Sequence, residues 1–134
     1  MKFGVIKEGK NPPDKRVVLT PQACKALKET FKELEIIVEK SGNRTFDDQE
    51  YVKNGIEVTN DVSSADVLLG VKEVPINALI NDKKYFFFSH TIKEQPYNRD
   101  LLRAVLDKNI ELYDHEVITN QKEIRLVAFG RYAG

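Results

Sequence analysis

Short apolar runs alternate with longer amphipathic segments along this chain. Apolar runs of four to seven residues, rich in β-branched and aromatic side chains, are typical of β-strands. The predicted strands cover residues 3–7, 35–39, 56–59, 66–72, 84–90, 110–113 and 124–129. The runs at 66–72 and 84–90 are almost continuously apolar, which indicates strands that are buried on both faces.

Between these runs, three segments predict helices. Thr20 caps the first helix, and Asp47 with Glu50 three residues later forms a capping box for the second. The third helix is expected over residues 99–108, with Asn98 as its cap. The apolar positions expected to face the core are Ala23, Leu27, Phe31 and Leu34 in the first helix, and Leu101, Leu102, Val105 and Leu106 in the third.

Strands that alternate with helices indicate an α/β fold: a three-layer arrangement in which a mostly parallel sheet has helices on both faces, as in flavodoxin-like or Rossmann-like domains. None of the seven glycines forms a Gly-x-Gly-x-x-Gly or a Gly-x-x-x-x-Gly-Lys motif. We therefore expect such a fold without a dinucleotide-binding fingerprint.

Composition narrows the function classes. The 134 residues suffice for one ordinary domain, and 21 basic residues balance 21 acidic ones, which argues against a nucleic-acid partner. No apolar run is long enough to span a membrane, and the first residues do not begin a signal peptide, so we expect a cytoplasmic protein. With a single cysteine, Cys24, and two histidines, neither a disulfide nor a metal site is expected; Cys24 is interpreted as a packing residue.

Ionisable residues follow several of the predicted strands. Lys72 and His90 come at the ends of strongly apolar runs. The carboxyl ends of parallel strands are where α/β proteins bind ligands, so these side chains should meet. We expect both to be partly desolvated, which favours the neutral forms needed for proton transfer. Asp114 and His115 are expected to be solvated loop residues.

Two arginines are candidates for binding carboxylates. Arg16 precedes the first helix, whose amino end favours anions, and a guanidinium can bind a carboxylate through two hydrogen bonds. Arg125 lies within an apolar segment and is therefore expected to be shielded from solvent. The Phe86, Phe87 and Phe88 run is interpreted as core.

Several segments, in order, resemble one family: the N-terminal domain shared by alanine dehydrogenase, the proton-pumping transhydrogenase and lysine-forming saccharopine dehydrogenase. The matching segments are 4–8 (GVIKE), 16–21 (RVVLTP), 70–75 (GVKEVP), 88–95 (FSHTIKEQ), 112–116 (LYDHE) and 125–134 (RLVAFGRYAG). Residues 41–46 and 91–95 depart from the alanine dehydrogenase pattern, which favours the saccharopine branch.

This resemblance implies an NAD(P)-dependent oxidoreductase that acts on the CH–NH group of saccharopine, on the side that yields lysine and 2-oxoglutarate. By matched position, Lys72 and His90 would be the catalytic acid–base pair. Substrate contacts are implied for Arg16, Arg125, Lys93, Gln95, Glu73 and Glu116.

The resemblance also sets an expected domain organisation. Residues 1–134 would be a truncated N-terminal substrate domain, and a Rossmann domain beyond residue 134 would bind NAD or NADP, so the isolated chain should not turn over. The partner is a small amino acid or oxo acid, and a homo-oligomer is left open. Two alternatives remain: the same domain of an alanine dehydrogenase, and a non-catalytic module that binds small molecules.

Overall fold

The computed structural model describes residues 1–129 and contains one sheet of six parallel strands. The end of the last matching segment, residues 130–134, lies outside the described residues. The sheet order is β3-β2-β1-β4-β5-β6. The strands are β1 (Lys2–Val5), β2 (Glu35–Glu39), β3 (Glu57–Thr59), β4 (Val67–Leu69), β5 (Lys84–Phe87) and β6 (Glu111–Asp114). The strand predicted at 35–39 is confirmed to the residue, whereas β4 and β5 end earlier than expected.

Three α-helices connect the strands: α1 (Pro21–Thr30), α2 (Asp48–Lys53) and α3 (Arg99–Asp107). The side chain of Thr20 accepts the Ala23 N–H, and Asp47 and Glu50 form the predicted reciprocal capping box. Among the described residues, no helix has the length and apolarity needed to cross a membrane.

Two apolar clusters cover the two faces of the sheet. One packs Cys24 of α1 and Tyr51 of α2 against Val5, Ile36 and Val38. The other packs Leu101, Ala104 and Val105 of α3 against Leu68, Tyr85 and Phe87 and their neighbours. This arrangement confirms a three-layer α/β fold, and its sheet is parallel throughout.

Strand β1 lies at the centre of the sheet and pairs with β2 on one side and β4 on the other. The chain thus builds outwards in one direction through β2 and β3, and in the other through β4, β5 and β6. The order changes direction between β1 and β4, and α/β proteins bind their ligands outside the carboxyl ends of the strands at such a point.

The predicted helix faces are partly wrong. Phe31 follows the last residue of α1 and is 57% exposed, and Leu102 and Leu106 are 43% and 70% exposed. Each residue of a helix is rotated about 100° from the one before it. The face that carries Leu101 and Val105 packs on the sheet, so the adjacent face that carries Leu102 and Leu106 points away from it.

The strand predicted at 124–129 is also wrong. Residues 118–126 turn back on themselves, with the Asn120 N–H donating to the Ile124 carbonyl and the Leu126 N–H donating to the Ile118 carbonyl. Only a single antiparallel bridge, between Thr119 and Arg125, forms there. The apolar side chains of Ile124 and Leu126 remain exposed, so this apolar segment neither joins the sheet nor enters the core.

A close approach at Gly4 allows a test of the central packing. A Cβ atom on Gly4 would lie 2.8 Å from Leu68 Cδ2 and 2.9 Å from Ala65 Cβ, whereas a Cβ on Gly42 would meet nothing within 4 Å. Gly4→Ala should lower the free energy of unfolding by about 1–3 kcal/mol because the buried neighbours must move. Gly42→Ala is the control, with an expected change within about 0.5 kcal/mol. Equal urea midpoints for the two variants would contradict this packing.

Candidate active site at the carboxyl edge of the sheet

The predicted gathering of charged side chains is present at the carboxyl edge of the sheet. Lys72 and Glu73 follow β4, His90 follows β5, and Glu116 follows β6 in the turn formed by His115–Val117. Lys72 and His90 are both partly buried, as expected from their positions after apolar runs. The geometry of these groups is set by a series of carboxylates.

Glu8 joins the segment after β1 to the segment after β4. Its Oε1 accepts the N–H of Val71 at 2.7 Å, and its Oε2 accepts the N–H of Lys72 at 2.8 Å. Burial raises the pKa of Glu8 above its ordinary value, although these two hydrogen bonds act in the opposite direction. One side chain therefore holds the backbone of the predicted catalytic lysine.

His90 lies between two carboxylates. Its Nδ1 is 3.1 Å from Glu116 Oε2, and its Nε2 is 3.7 Å from Glu73 Oε1. Its side chain is 23% exposed, so the ring is shielded while still reachable from solvent. A histidine in this position can exchange protons with a ligand while the flanking carboxylates orient its ring.

The backbone of His90 adopts the left-handed conformation, with φ of 57°. Buried Asn98 donates from Nδ2 to the His90 carbonyl at 3.0 Å. Asn98 is the N-cap residue of α3, as predicted, but its side chain makes no capping hydrogen bond because its amide donates to the His90 carbonyl. A short helical turn at Pro96–Asn98 leads directly into α3.

Glu116 is the most highly connected carboxylate of the site. It is buried and contacts the His90 ring and two cationic side chains, Lys93 at 3.2 Å and Arg125 at 2.9 Å. Burial by itself would raise the pKa of Glu116. Hydrogen bonds from His90 and Lys93, together with the positive charges of Lys93 and Arg125, have a larger effect in the opposite direction, so the pKa is lower than usual. Glu116 thus stays ionised and orders the groups around it.

Asp114 and His115 are buried, so the prediction that they are solvated loop residues is wrong. Asp114 accepts hydrogen bonds from the Ser89 hydroxyl and from the Glu116 N–H. His115 Nε2 lies 3.0 Å from the Gly70 carbonyl oxygen, and burial lowers the pKa of the ring. Among residues 1–129, its Nδ1 has no hydrogen-bond partner. At the end of β6, both side chains are therefore directed into the protein, where they contact Ser89 and Gly70.

Arg16 is already paired with a carboxylate of its own chain. Its Nε and Nη2 donate to the two oxygens of Asp14, and its guanidinium lies 4.8 Å from the centre of the Phe129 ring. The hydrogen bonds from Arg16 lower the pKa of Asp14 to about 2. Sequence reasoning selected Arg16 but overlooked Asp14, although a carboxylate two residues before an arginine was a visible signal.

The remaining predicted site residues differ in position. Within residues 1–129 the ammonium group of Lys72 has no carboxylate partner, and Lys93 is half exposed. Arg125 is 52% exposed, so the expectation that it is shielded is wrong. Gln95 lines a separate groove of about 390 Å³, and the structure does not bring it to His90 or Glu116.

Lys10 is a second residue that sequence reasoning overlooked. Its ammonium group lies 3.0 Å from Glu73 Oε2, so one oxygen of Glu73 contacts Lys10 and the other faces His90. Lys10 belongs to the polar loop that leaves the carboxyl end of β1. That location was the available signal, since every segment leaving this edge can contribute to the site.

Other candidate groups have structural environments. Cys24 is fully buried, and burial raises its pKa to about 11, which confirms it as a packing residue. Phe87 is core, as predicted, while Phe88 packs edge-on against His115 at a ring distance of 5.2 Å. In the part of the chain that the structure describes, no three His, Cys, Asp or Glu residues are placed to hold a metal ion.

The Asp14–Arg16 pair predicts a pH-dependent contribution to stability. Because the pKa of Asp14 falls from 3.8 unfolded to about 2 folded, the ionised pair stabilises the fold above about pH 4, and this stabilisation is lost as the pH falls towards 2. At neutral pH, Asp14→Asn should lower the free energy of unfolding by about 1–2 kcal/mol, allowing for the exposure of Arg16. Asp107→Asn, at an exposed position of α3, is the control. The measurement is urea unfolding at several pH values across this range. Equal free energies of unfolding for the two variants at every pH would contradict the pairing.

Comparisons with known proteins identify the family of this chain. The family model for the alanine dehydrogenase/PNT N-terminal domain matches residues 4–134. Mitochondrial alpha-aminoadipic semialdehyde synthase of Bos taurus is 39% identical over 128 residues, covering 96% of this chain and 14% of that protein. The NAD(+), L-lysine-forming saccharopine dehydrogenase of Candida albicans is 34% identical over 131 residues, covering 92% of this chain and 33% of that protein.

Solved structures show the same fold. An L-alanine dehydrogenase superposes with a TM-score of 0.74 over 92% of this chain and 34% of its own, at 22% identity. A transhydrogenase from Sinorhizobium meliloti gives 0.71 over 90% of this chain and 36% of its own, at 21% identity. This chain spans about a seventh to a third of its longer relatives, and it belongs to the alanine dehydrogenase/PNT N-terminal domain family.

Proposed function

We propose that this chain is the substrate-binding and acid–base half of an NAD(P)-dependent amino-acid oxidoreductase whose substrate is saccharopine. The observation that carries the proposal is the placement of His90 between Glu73 and Glu116, with Lys72 directly preceding Glu73. The similarity to saccharopine dehydrogenases and to alpha-aminoadipic semialdehyde synthases supports the choice of substrate.

The chemistry requires proton transfers at two atoms. In the oxidative direction, the carbon that bears the secondary amine loses a hydride and the nitrogen loses a proton, which leaves a C=N bond. Water then adds to that carbon, and the C–N bond breaks to give lysine and 2-oxoglutarate. We assign proton transfer at the amine and at the attacking water to Lys72 and His90, with the carboxylates of Glu73 and Glu116 holding the His90 ring in place.

The substrate also carries several carboxylates. Arg16, Arg125 and Lys93 are the cations that we assign to them. In this structure each of the three contacts Asp14 or Glu116. The guanidinium groups have further N–H donors, and both arginines remain partly exposed, so a substrate carboxylate can bind beside the internal one or replace it.

Residues 1–129 lack the turn that usually binds the pyrophosphate of a nicotinamide nucleotide. The connection between β1 and α1 spans 15 residues, 6–20, and lacks the glycine-rich turn that brings a pyrophosphate onto a helix amino end. We therefore propose that the nucleotide, which accepts the hydride, is held outside this chain. On this proposal, the isolated chain binds substrate weakly and does not turn over.

Substrate comparison tests this function. The full-length protein that contains this chain should oxidise NAD(P)H when given lysine plus 2-oxoglutarate, and should show little activity with ammonia plus pyruvate. The rate is measured from the loss of NAD(P)H absorbance. Activity only with ammonia plus pyruvate would instead support an alanine dehydrogenase, and activity with neither pair would favour a non-catalytic binding module.

Replacement of the proposed acid–base residues provides a second test. In the full-length protein, Lys72→Met and His90→Gln should each lower kcat by about 10²–10⁴-fold, because proton transfer in the transition state loses its donor or acceptor. Lys25→Met, on the exposed side of α1, is the matched control and should keep the rate. A normal kcat in either site variant would remove that residue from the mechanism.

A further inference from the structure

We propose that Glu8 is the positioning residue for Lys72: its carboxylate extends the pairing of β1 with β4 beyond the ends of both strands and so fixes the backbone that carries the lysine. This inference rests on the proposed function for its catalytic consequence. The structural part stands on the contacts between Glu8 and the β4 segment, which can be tested without any assay of turnover.

The main-chain pairing of these two strands ends just before the site. The last bond is donated by the Ile6 N–H to the Leu69 carbonyl at 3.0 Å. Beyond it the two segments separate, and the next donors on the β4 side would lack a main-chain acceptor from β1. The two oxygens of Glu8 supply acceptors for those donors, the N–H groups of Val71 and Lys72.

The other side of the same segment is also fixed. His115, in the turn after β6, contacts the Gly70 carbonyl. The N–H of Phe88, the residue after β5, donates to the Val71 carbonyl at 3.0 Å. A Cβ atom on Gly70 would lie 2.9 Å from Ile6 Cδ1, which shows how closely the β1 segment approaches here. Residues that follow β5 and β6 therefore hold the carbonyl groups of Gly70 and Val71. Glu8 holds the N–H groups of Val71 and Lys72.

Both oxygens of Glu8 must act as acceptors, which identifies the ionised carboxylate as the required form. Hydrogen bonds from N–H groups to a carboxylate are roughly twice as strong as neutral ones. A glutamine in the same position would direct its amide N–H₂ at a backbone N–H, since both of the facing groups are donors. The charged groups near Glu8 are Asp14 and Arg16, and Asp14 is in turn close to Lys72.

Glu8→Gln is the informative variant, and Glu39→Gln is its matched control. Glu39 lies at the carboxyl end of neighbouring β2 and also accepts a backbone N–H, that of Lys7 at 3.0 Å, but it makes no bond to the Lys72 segment. Both variants therefore remove one carboxylate from the same edge of the sheet. Only Glu8→Gln changes the support of Lys72.

Two measurements on the full-length protein decide the matter. Hydrogen–deuterium exchange should show the amides of Val71 and Lys72 protected in the wild type and exchanging at least about tenfold faster in Glu8→Gln, since each loses a charge-assisted bond. In the same variant kcat should fall about 10–100-fold with little change in KM, because a small displacement of a reacting group slows chemistry more than binding. Glu39→Gln should leave both quantities close to wild type.

The outcomes separate the two proposals. Unchanged protection of Val71 and Lys72 in Glu8→Gln overturns the positioning role whatever the activity. Faster exchange with an undiminished kcat also overturns it, because Lys72 would then not depend on Glu8. A wild-type protein that turns over neither substrate pair, yet shows the expected exchange, removes the proposed function while the link between Glu8 and the Lys72 backbone stands.

Discussion

The pairing of β1 with β2 on one side and β4 on the other decides where the candidate site residues of this domain lie. Because all six strands run in the same direction, every segment that leaves a strand emerges at one edge. Residues far apart along the chain, such as Glu8 and Lys72, are brought together there. The closeness of β1 to its neighbours, with no room for a side chain at Gly4, keeps this edge compact.

Charge balance is the second requirement of the site. A buried carboxylate such as Glu116 is tolerated because His90, Lys93 and Arg125 surround it, and removing one partner of a buried charged group costs much more than an exposed pair contributes. Glu73 is similarly placed between Lys10 and His90. The site is therefore one linked set of charges, in which a change at one residue alters the others.

Local signals in the sequence predicted the parts of the fold that depend on local interactions. The capping box at Asp47 and the strand at Glu35–Glu39 are both confirmed. Periodicity could not choose between two adjacent stripes of α3, since Leu102 and Leu106 have the same spacing as Leu101 and Val105, and only the position of the sheet decides between them.

In the candidate site, too, some features follow from local sequence and others depend on tertiary contacts. The strand ends placed Lys72 and His90 at one edge of the sheet without any tertiary information. The burial of Asp114 and His115 depends on a turn after β6 that folds them under Ser89 and Gly70, which are distant in sequence. The side chain of Asn98 is drawn to the His90 carbonyl rather than to its own helix, because the left-handed turn at His90 exposes that carbonyl.

The internal pairing of Arg16 with Asp14, and of Arg125 with Glu116, has a consequence for ligand selection. A carboxylate that displaces an internal partner exchanges one ion pair for another, and its net gain is the difference between two similar interactions. A ligand with a single carboxylate gains little from such an exchange. A ligand that engages several cations at once loses its translational freedom only once for all of these exchanges. On the proposed function, the two paired arginines therefore favour a polycarboxylate substrate over a small monocarboxylate.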